Sequence, residues 1–107
     1  MAQNPAAQLT IHDDWNGRAA TVTLRGEICT TTVSDLFGSL DDIVGKDPER
    51  LIIDLAEVSF LDSSAVHAFV RARHILPEEC SVVLRSPQRQ ARRVFELTGL
   101  DSVCVIE

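Results

Sequence analysis

A run of five residues near the middle of the chain, at positions 51–55, restricts its fold more than any other segment. It reads L-I-I-D-L, so apolar side chains fall on both faces of the segment if it is extended. Strands with one solvated face alternate apolar and polar residues, whereas strands buried on both faces are apolar almost throughout, as in parallel sheets. The run therefore predicts a buried strand of a partly parallel sheet.

Apolar spacing predicts the elements around this strand. Two alternating segments on either side of the turn signal Asn16-Gly17 indicate an antiparallel hairpin. Two later segments repeat apolar residues at helical spacing, a third is bounded by helix start and end signals, and two short apolar runs are typical of strands. The helical segments lie at 32–45, 63–76 and 86–99, and the strand-like runs at 81–85 and 103–106. This order predicts an α/β fold, a single domain with a mixed β-sheet and helices packed mainly on one side.

Capping residues predict where some of these helices begin and end. Thr32, with Asp35 three positions later, has the form of a capping arrangement. Ser86-Pro87 has the form of a cap followed by a first helical residue, and Gly99 is typical of a helix end.

Length and charge limit the class of protein. A chain of 107 residues is the length of one domain and can bury a core without disulfides or metals. We expect residues 9–107 to form this domain, behind a flexible N-terminus at residues 1–8. The formal net charge of −6 disfavours direct binding to nucleic acid and to anionic membranes.

Cysteine content and the first residues indicate the compartment. The three cysteines are widely spaced and form no C-x-x-C motif, so neither a disulfide framework nor a thiolate metal site is predicted. No residue pattern indicates a cofactor. The first residues lack the pattern of a signal peptide, and no apolar stretch approaches the roughly 20 residues that span a bilayer. We therefore expect a soluble protein of the reducing cytoplasm.

Two neighbouring hydroxyls, Ser63 and Ser64, stand where the second helix is predicted to begin. A helix start leaves backbone N–H groups without partners and carries the positive end of the helix dipole, so it stabilises a negative charge. A serine there is either a helix cap or a phosphate acceptor. Ser63 lies four positions before His67 on a polar stripe, whereas Ser64 lies four positions before the apolar Ala68. Ser63 is therefore predicted to be the more exposed hydroxyl.

A nucleophilic triad is one alternative for these residues, with Ser63 as nucleophile, His67 or His74 as base and Asp62 as carboxylate. A triad needs a base that a separate carboxylate orients, together with an oxyanion hole. The chain has no G-x-S-x-G elbow, so we favour a polar helix face and predict no catalytic residues.

A response-regulator receiver is a second alternative, because such domains hold an acidic pocket and a phosphate-accepting aspartate at a strand end. Here Asp54 would be the acceptor, and Asp13 with Asp14 would form the acidic pair. The pair leads into a hairpin turn rather than a helix, and the last strand has no lysine. We therefore favour solvated turn acids.

Arginines in the third helix form another candidate site, since Arg89, Arg92 and Arg93 together could make a basic patch. Glu96 lies nearby and the chain is acidic overall, which favours an ordinary solvated face.

Three segments resemble the STAS domain of bacterial anti-sigma factor antagonists. Residues 60–66 read F-L-D-S-S-A-V and are similar to that family's D-S-S-G-L or D-S-T-G-L signature. Residues 26–28 match its G-E-L/I element, and residues 93–100 resemble its passage from the third helix to the last strand. The resemblance covers about residues 9–106.

The resemblance implies a binding switch rather than an enzyme. The unphosphorylated antagonist binds an anti-sigma factor that is also a serine kinase, and this frees the sigma factor. Phosphorylation of the signature serine ends the binding, and a metal-dependent serine phosphatase reverses it. The acceptor position matches Ser63, with Ser64 as the alternative. A non-phosphorylated STAS interaction or small-ligand-binding module in a signalling complex remains the alternative function, and self-association into a homo-oligomer stays open.

The resemblance also implies which residues bind the partner. Ala65 takes the place of the signature glycine, and Cys29 stands where an acidic residue is usual after G-E-L/I. The expected partner-binding set is Asp62, Ser63, Ser64, Ala65, His67, Arg71, Glu27 and Cys29.

Overall fold

A five-stranded mixed sheet forms the centre of the fold in the computed structural model, which describes residues 7–107. The strands are β1 (Leu9–Asn16), β2 (Ala19–Ile28), β3 (Arg50–Leu61), β4 (Ser81–Arg85) and β5 (Val105–Ile106). They lie in the order β1-β2-β3-β4-β5, and the β1–β2 pair is antiparallel while the other pairs are parallel. The predicted hairpin and the partly parallel sheet are both confirmed. The expected flexible N-terminus falls mainly on residues 1–6, which lie outside the described residues.

Three helices cover one face of this sheet. They are α1 (Val33–Gly45), α2 (Ser63–Ile75) and α3 (Arg89–Thr98). One core cluster contains alternate strand residues together with the apolar faces of all three helices. Its members include Ala20, Val22 and Leu24 on β2, Leu51, Ile53 and Leu55 on β3, Leu36 and Leu40 on α1, Phe69 on α2 and Phe95 on α3. Because alternate residues of a strand point to the same face, this cluster confirms that the helices pack on one side.

Residues 51–53 of β3 are buried on both faces, as their apolar sequence predicts. Residues 50–54 pair with β4 on one side, and β2 lies on the other. Ile53 is fully buried in the helix-covered core, and Ile52, which points to the opposite face, is only 9% exposed.

The second half of β3 extends beyond the predicted strand and has a different neighbour. Past residue 54 the pairing with β4 ends, and side chains at the start of α3 take its place. Gln88 Nε2 donates to the Ala56 carbonyl at 2.9 Å. Gln90 accepts from the Leu61 N–H at 3.0 Å and donates to the Leu61 carbonyl at 2.8 Å. The side-chain amide of Gln90 thus occupies the position of a strand partner for the last residue of β3.

One of the two predicted helix starts is confirmed in position, and the other is wrong. Thr32 is the N-cap residue of α1, but its hydroxyl makes no cap hydrogen bond and instead donates to the Glu27 carbonyl at 2.9 Å. Helix α3 begins at Arg89 rather than at Pro87, because Ser86 adopts a left-handed conformation (φ 57°) that cannot start a helix. The predicted end of α3 is confirmed, since Gly99 has a φ of 79°.

Within residues 7–107, no helix is both long enough and apolar enough to cross a membrane.

Candidate functional site

The end of β3 and the start of α2 place two serines at the edge of the sheet. Asp62 is the N-cap of α2, and its carboxylate accepts the Ser64 N–H at 2.9 Å. The Ser64 hydroxyl also donates to the same carboxylate oxygen. Both hydrogen-bond donors of Ser64 thus have the Asp62 carboxylate as their acceptor. Ser64 therefore takes part in the helix cap, one of the two roles predicted for a serine at this position.

Ser63 takes no part in this cap. Its side chain is exposed on the first turn of α2, whereas Ser64 is half-buried. The prediction that Ser63 is the more exposed hydroxyl is confirmed. The helix start supplies free backbone N–H groups and the positive end of a dipole next to it.

Two surface grooves meet at Ser63 and His67. A groove of about 280 Å³ is lined by these two residues with Ser64 and with Phe37 of α1. A second groove of about 410 Å³ lies on the other side of α2. Its lining residues are Ser63, Val66, His67, Val70, Arg71 and Thr98. Ser63 and His67 therefore form a ridge between two depressions, one toward α1 and one toward α3.

Arg71 extends the predicted polar stripe of α2 toward α1. Its guanidinium lies 3.3 Å from the Asp41 carboxylate in an exposed ion pair. His67 and Arg71 are both exposed, so one turn and two turns after Ser63 the helix presents polar groups to the solvent.

The backbone of Glu27 and Cys29 lies near the start of α2, because β2 and β3 end at the same edge of the sheet. Ile28 pairs with Leu61, and its carbonyl accepts the Asp62 N–H at 3.1 Å. The Cys29 sulfur lies 3.1 Å from the Thr31 hydroxyl, and this hydrogen bond lowers the pKa of the thiol. The backbone of Glu27 and Cys29, two of the residues expected to bind the partner, is thus close to the start of α2.

Gly26, the first residue of the G-E-I element, has a structural reason to be glycine. Its φ of 111° is unfavourable for other residues, and a Cβ there would collide with the carbonyl oxygen of Gln8. The next residue, Glu27, donates its N–H to that same carbonyl at 2.9 Å. The glycine allows the chain before β1 to lie against the end of β2.

Ala65 does not lie on the surface shared by the other expected residues. It is 0% exposed, and its methyl group is part of the core cluster beneath the start of α2. A direct contact between Ala65 and a partner therefore does not fit its place in the free domain.

The two alternative sites are not assembled by the fold. The Asp62 carboxylate bonds to Ser64 rather than orienting His67, as a triad would require. Asp54 lies within β3 rather than at its end, and its carboxylate is 3.2 Å from Arg85. Within residues 7–107, no three His, Cys, Asp or Glu side chains are grouped as ligands for a metal ion.

The acidic pair of the receiver alternative is also placed differently from the prediction. Asp13 and Asp14 belong to β1 and do not lie in the turn, and Asp13 accepts the indole N–H of Trp15 at 2.9 Å. Because β1 is an antiparallel edge strand, Asp13 and Asp14 do not follow the carboxyl end of a parallel strand, and both are exposed. They therefore form no receiver-like acidic pocket.

Phe37, Thr98 and Gln90 lie at the site but were not predicted from the sequence. The apolar spacing of α1 includes Phe37 without showing that it faces Ser63. Thr98 and Gln90 reach the site only because α3 packs beside the end of β3. No local sequence signal reports such a contact between distant elements.

Comparisons with known proteins agree with this architecture. Residues 8–107 match the family model described as the STAS domain. The anti-sigma-B factor antagonist of Listeria monocytogenes is 31% identical over 87 residues, which is 80% of this chain and 76% of that protein. An anti-sigma factor antagonist from Mycobacterium paratuberculosis superimposes with a TM-score of 0.85 at 27% identity, over 97% of this chain and 89% of that chain.

A more distant structure shares the fold. The anti-sigma factor antagonist SpoIIAA, in its unphosphorylated form, superimposes with a TM-score of 0.78 at 20% identity, covering 92% of this chain and 88% of that one. The match of nearly the whole chain to one family model, together with a relative above 30% identity, shows that this protein belongs to the STAS domain family.

Proposed function

We propose that this protein is an anti-sigma factor antagonist, switched by phosphorylation of Ser63. In this role it binds an anti-sigma factor of the serine-kinase type through the surface around Ser63, and the sigma factor is released. The Listeria relative is named as an anti-sigma-B factor antagonist and the Mycobacterium one as an anti-sigma factor antagonist. We place the protein in the cytoplasm, as a regulatory binding protein without catalytic activity of its own.

The difference between the two serines is the observation that carries this proposal. The Ser64 hydroxyl is held by the Asp62 carboxylate, whereas the Ser63 hydroxyl is exposed on the ridge between the two grooves. A kinase needs a hydroxyl that can leave the protein surface and enter its active site. Ser63 meets this requirement without loss of the helix cap.

Charge explains how one modification would end binding without unfolding the domain. A phosphate on Ser63 adds roughly −1.5 to −2 charges at neutral pH. In the free domain these charges lie at the start of α2, where the helix dipole and free N–H groups stabilise them. Inside a packed interface an unmatched charge loses its hydration, which costs several kcal/mol. The exposed phosphoserine of the free domain would also be accessible to a metal-dependent serine phosphatase, which completes the cycle.

The expected partner surface is the ridge together with its flanks. The grooves on both sides of Ser63 and His67 would accept apolar side chains of the partner, and polar groups would surround them. The residues proposed to contact the partner are Asp62, Ser63, Ser64, His67, Arg71, Glu27 and Cys29. Ala65 would contribute only through the packing beneath the helix start.

The test is to incubate the protein with the anti-sigma kinases of its own organism and ATP, and to locate any phosphate by mass spectrometry. We expect acid-stable phosphate on Ser63, no incorporation in Ser63→Ala, and normal incorporation in the matched control Ser64→Ala. In a titration with the kinase, Ser63→Asp should bind at least about tenfold more weakly than Ser63→Ala. Equal affinity of the two variants would contradict the switch.

A second candidate function is an interaction or ligand-binding module without phosphorylation. The groove of about 410 Å³ favours it, since its apolar floor at Val66 and Val70 is flanked by the polar groups of His67, Arg71 and Thr98. Binding to the anti-sigma factor with no phosphate incorporated on any serine would support this candidate instead of the switch.

A further inference from the structure

The outward face of α3 carries three arginines at helical spacing. Arg89, Arg92 and Arg93 are all exposed, while Ala91 and Phe95 on the opposite face are buried in the core. Residues three and four positions apart lie on the same side of a helix, so the three guanidinium groups belong to one surface. We name these three residues the arginine strip.

Among residues 7–107, Lys46, Arg50 and Arg73 also form no ion pair, but the arginine strip places three such groups together on one helix face. Four arginines elsewhere form ion pairs, namely Arg18, Arg25, Arg71 and Arg85. Within residues 7–107, no ion pair joins a residue of the strip, and residues 1–6 contain no acidic residue. Glu96 lies one turn after Arg92 and Arg93 on the same face without pairing to them. The strip is therefore a local excess of positive charge on a chain whose net charge is −6.

Helix α3, which carries the strip, lies beside the ridge that contains Ser63. Gln90, on the inner side of α3, bonds to both backbone groups of Leu61, which is two residues before Ser63. At the other end of α3, Thr98 lines the groove that Ser63 and His67 also line. Both ends of α3 thus lie near the proposed partner surface, and the strip lies on the outward face of this helix.

We infer that the arginine strip is a second docking surface and that it binds an acidic segment of the protein partner. Guanidinium groups bind carboxylates through paired N–H···O hydrogen bonds, and unpaired ones on a surface attract and orient an oppositely charged partner. The strip spans only about 6 Å along the helix axis, since each helical residue rises about 1.5 Å. This length suits two or three carboxylates of a protein segment.

Nucleic acid and anionic membranes fit the strip less well. Both are polyanions that extend well past the roughly 6 Å of the strip. Their remaining charges would lie against a domain with a net charge of −6, which repels them. Glu96 places a negative charge at one end of the strip, which limits binding to a short segment.

The first experiment needs no knowledge of the partner. A short polyglutamate peptide is titrated into the isotope-labelled protein, and amide chemical shifts are followed by NMR. We expect shifts on residues 89–96 that disappear in high salt, with polyglutamine of equal length as the peptide control. The double variant Arg92→Ala/Arg93→Ala should lose them, and the matched control Arg50→Ala, an exposed arginine at the far end of β3, should keep them. No shifts, shifts centred elsewhere, or stronger binding to an RNA oligomer or to anionic vesicles would overturn the inference.

A second experiment, which rests on the proposed function, uses the anti-sigma factor. Arg92→Glu/Arg93→Glu should slow association by about tenfold at low salt and by much less at high salt, while Arg50→Glu has little effect. If Ser63→Asp weakens binding but the strip variant does not, the strip inference alone is wrong. If the strip variant slows association but Ser63→Asp has no effect, the Ser63 switch alone is wrong.

Discussion

The two halves of β3 are held in place by different kinds of contact. Over residues 50–54, β3 lies between β2 and β4, and its backbone is hydrogen-bonded to strands on both sides. Over residues 56–61, β2 remains on one side, but the other side is occupied by the side chains of Gln88 and Gln90. Residues 51–53 of the first half are buried on both faces, whereas the second half exposes Ser59 and Phe60.

This difference determines where a binding surface can form. A strand that is enclosed on both sides and both faces has no free surface for a partner. Where β4 ends, helix α3 comes beside β3, and a groove opens between α2 and α3. Ser63 follows directly after this second half, so the proposed switch lies where side chains, rather than strands, complete the sheet.

The largest effect should come from the enclosed half. Ile53→Ala removes a fully buried side chain from the core, and we expect a loss of about 2–5 kcal/mol in the free energy of unfolding, measured by urea denaturation. The matched control is Phe60→Ala in the second half. Phe60 is 42% exposed, so we expect a loss of only about 1 kcal/mol despite its larger side chain. Equal losses from Ile53→Ala and Phe60→Ala would show that the two halves of β3 contribute equally to the core.

The contrast between the halves also explains which parts of the fold are predictable from the sequence. Residues 51–55 are recognisable as a buried strand because burial on both faces requires apolar residues, a local pattern. Residues 57–61 continue the strand because β2 pairs with them on one side, and amides about 30 positions later bond to the other side. No pattern within residues 56–61 reports those contacts.

The same distinction applies to the site. The greater exposure of Ser63 relative to Ser64 follows from helical spacing, which is local, and it is confirmed. Ser86-Pro87 fails as a helix start because Ser86 is in a left-handed conformation, and its N–H bonds to the carbonyl of Glu107, just after β5. Phe37 and Thr98 lie at the grooves through the packing of helices, which the sequence does not show directly.

An intermediate effect should come from the side-chain partner of the second half. Gln90→Leu removes both hydrogen bonds to Leu61, whose side chain is fully buried. Because its N–H and C=O would then lose their partners, we expect a loss of about 1–3 kcal/mol in the free energy of unfolding. Hydrogen exchange of the Leu61 amide should become faster than in the unmodified protein.

Gln88→Leu is the matched control for this substitution. Gln88 makes a single hydrogen bond, to the carbonyl of the exposed Ala56, and water can replace it there. We therefore expect a loss below about 1 kcal/mol. If Gln90→Leu is no more destabilising than Gln88→Leu, the amide of Gln90 is not a substitute for a strand partner.

The smallest effect on stability near neutral pH, and the clearest local readout, should come from the cysteines. Cys29 follows β2 beside the open second half of β3, whereas Cys80 and Cys104 are buried immediately before β4 and β5. The hydrogen bond from Thr31 lowers the pKa of Cys29. Burial raises the pKa of Cys80, and it raises that of Cys104 to about 11. Since the thiolate is the reactive form, a disulfide reagent at about pH 8 should modify Cys29 quickly and the other two only after unfolding.

The raised pKa of Cys104 also has a consequence for stability at alkaline pH. In the unfolded chain this thiol ionises near its ordinary pKa of about 8.5, whereas in the folded protein it keeps its proton up to about pH 11. Between these values the unfolded state binds fewer protons than the folded state, so the free energy of unfolding falls as pH rises, and below this window the thiol contributes no pH dependence. Cys104→Ala should reduce this alkaline loss, measured by urea denaturation across the window, and Cys29→Ala should leave it in place. An unchanged alkaline loss in Cys104→Ala would show that burial does not raise the pKa of Cys104. Rapid modification of all three thiols in the folded protein would show that Cys80 and Cys104 are as accessible to solvent as Cys29.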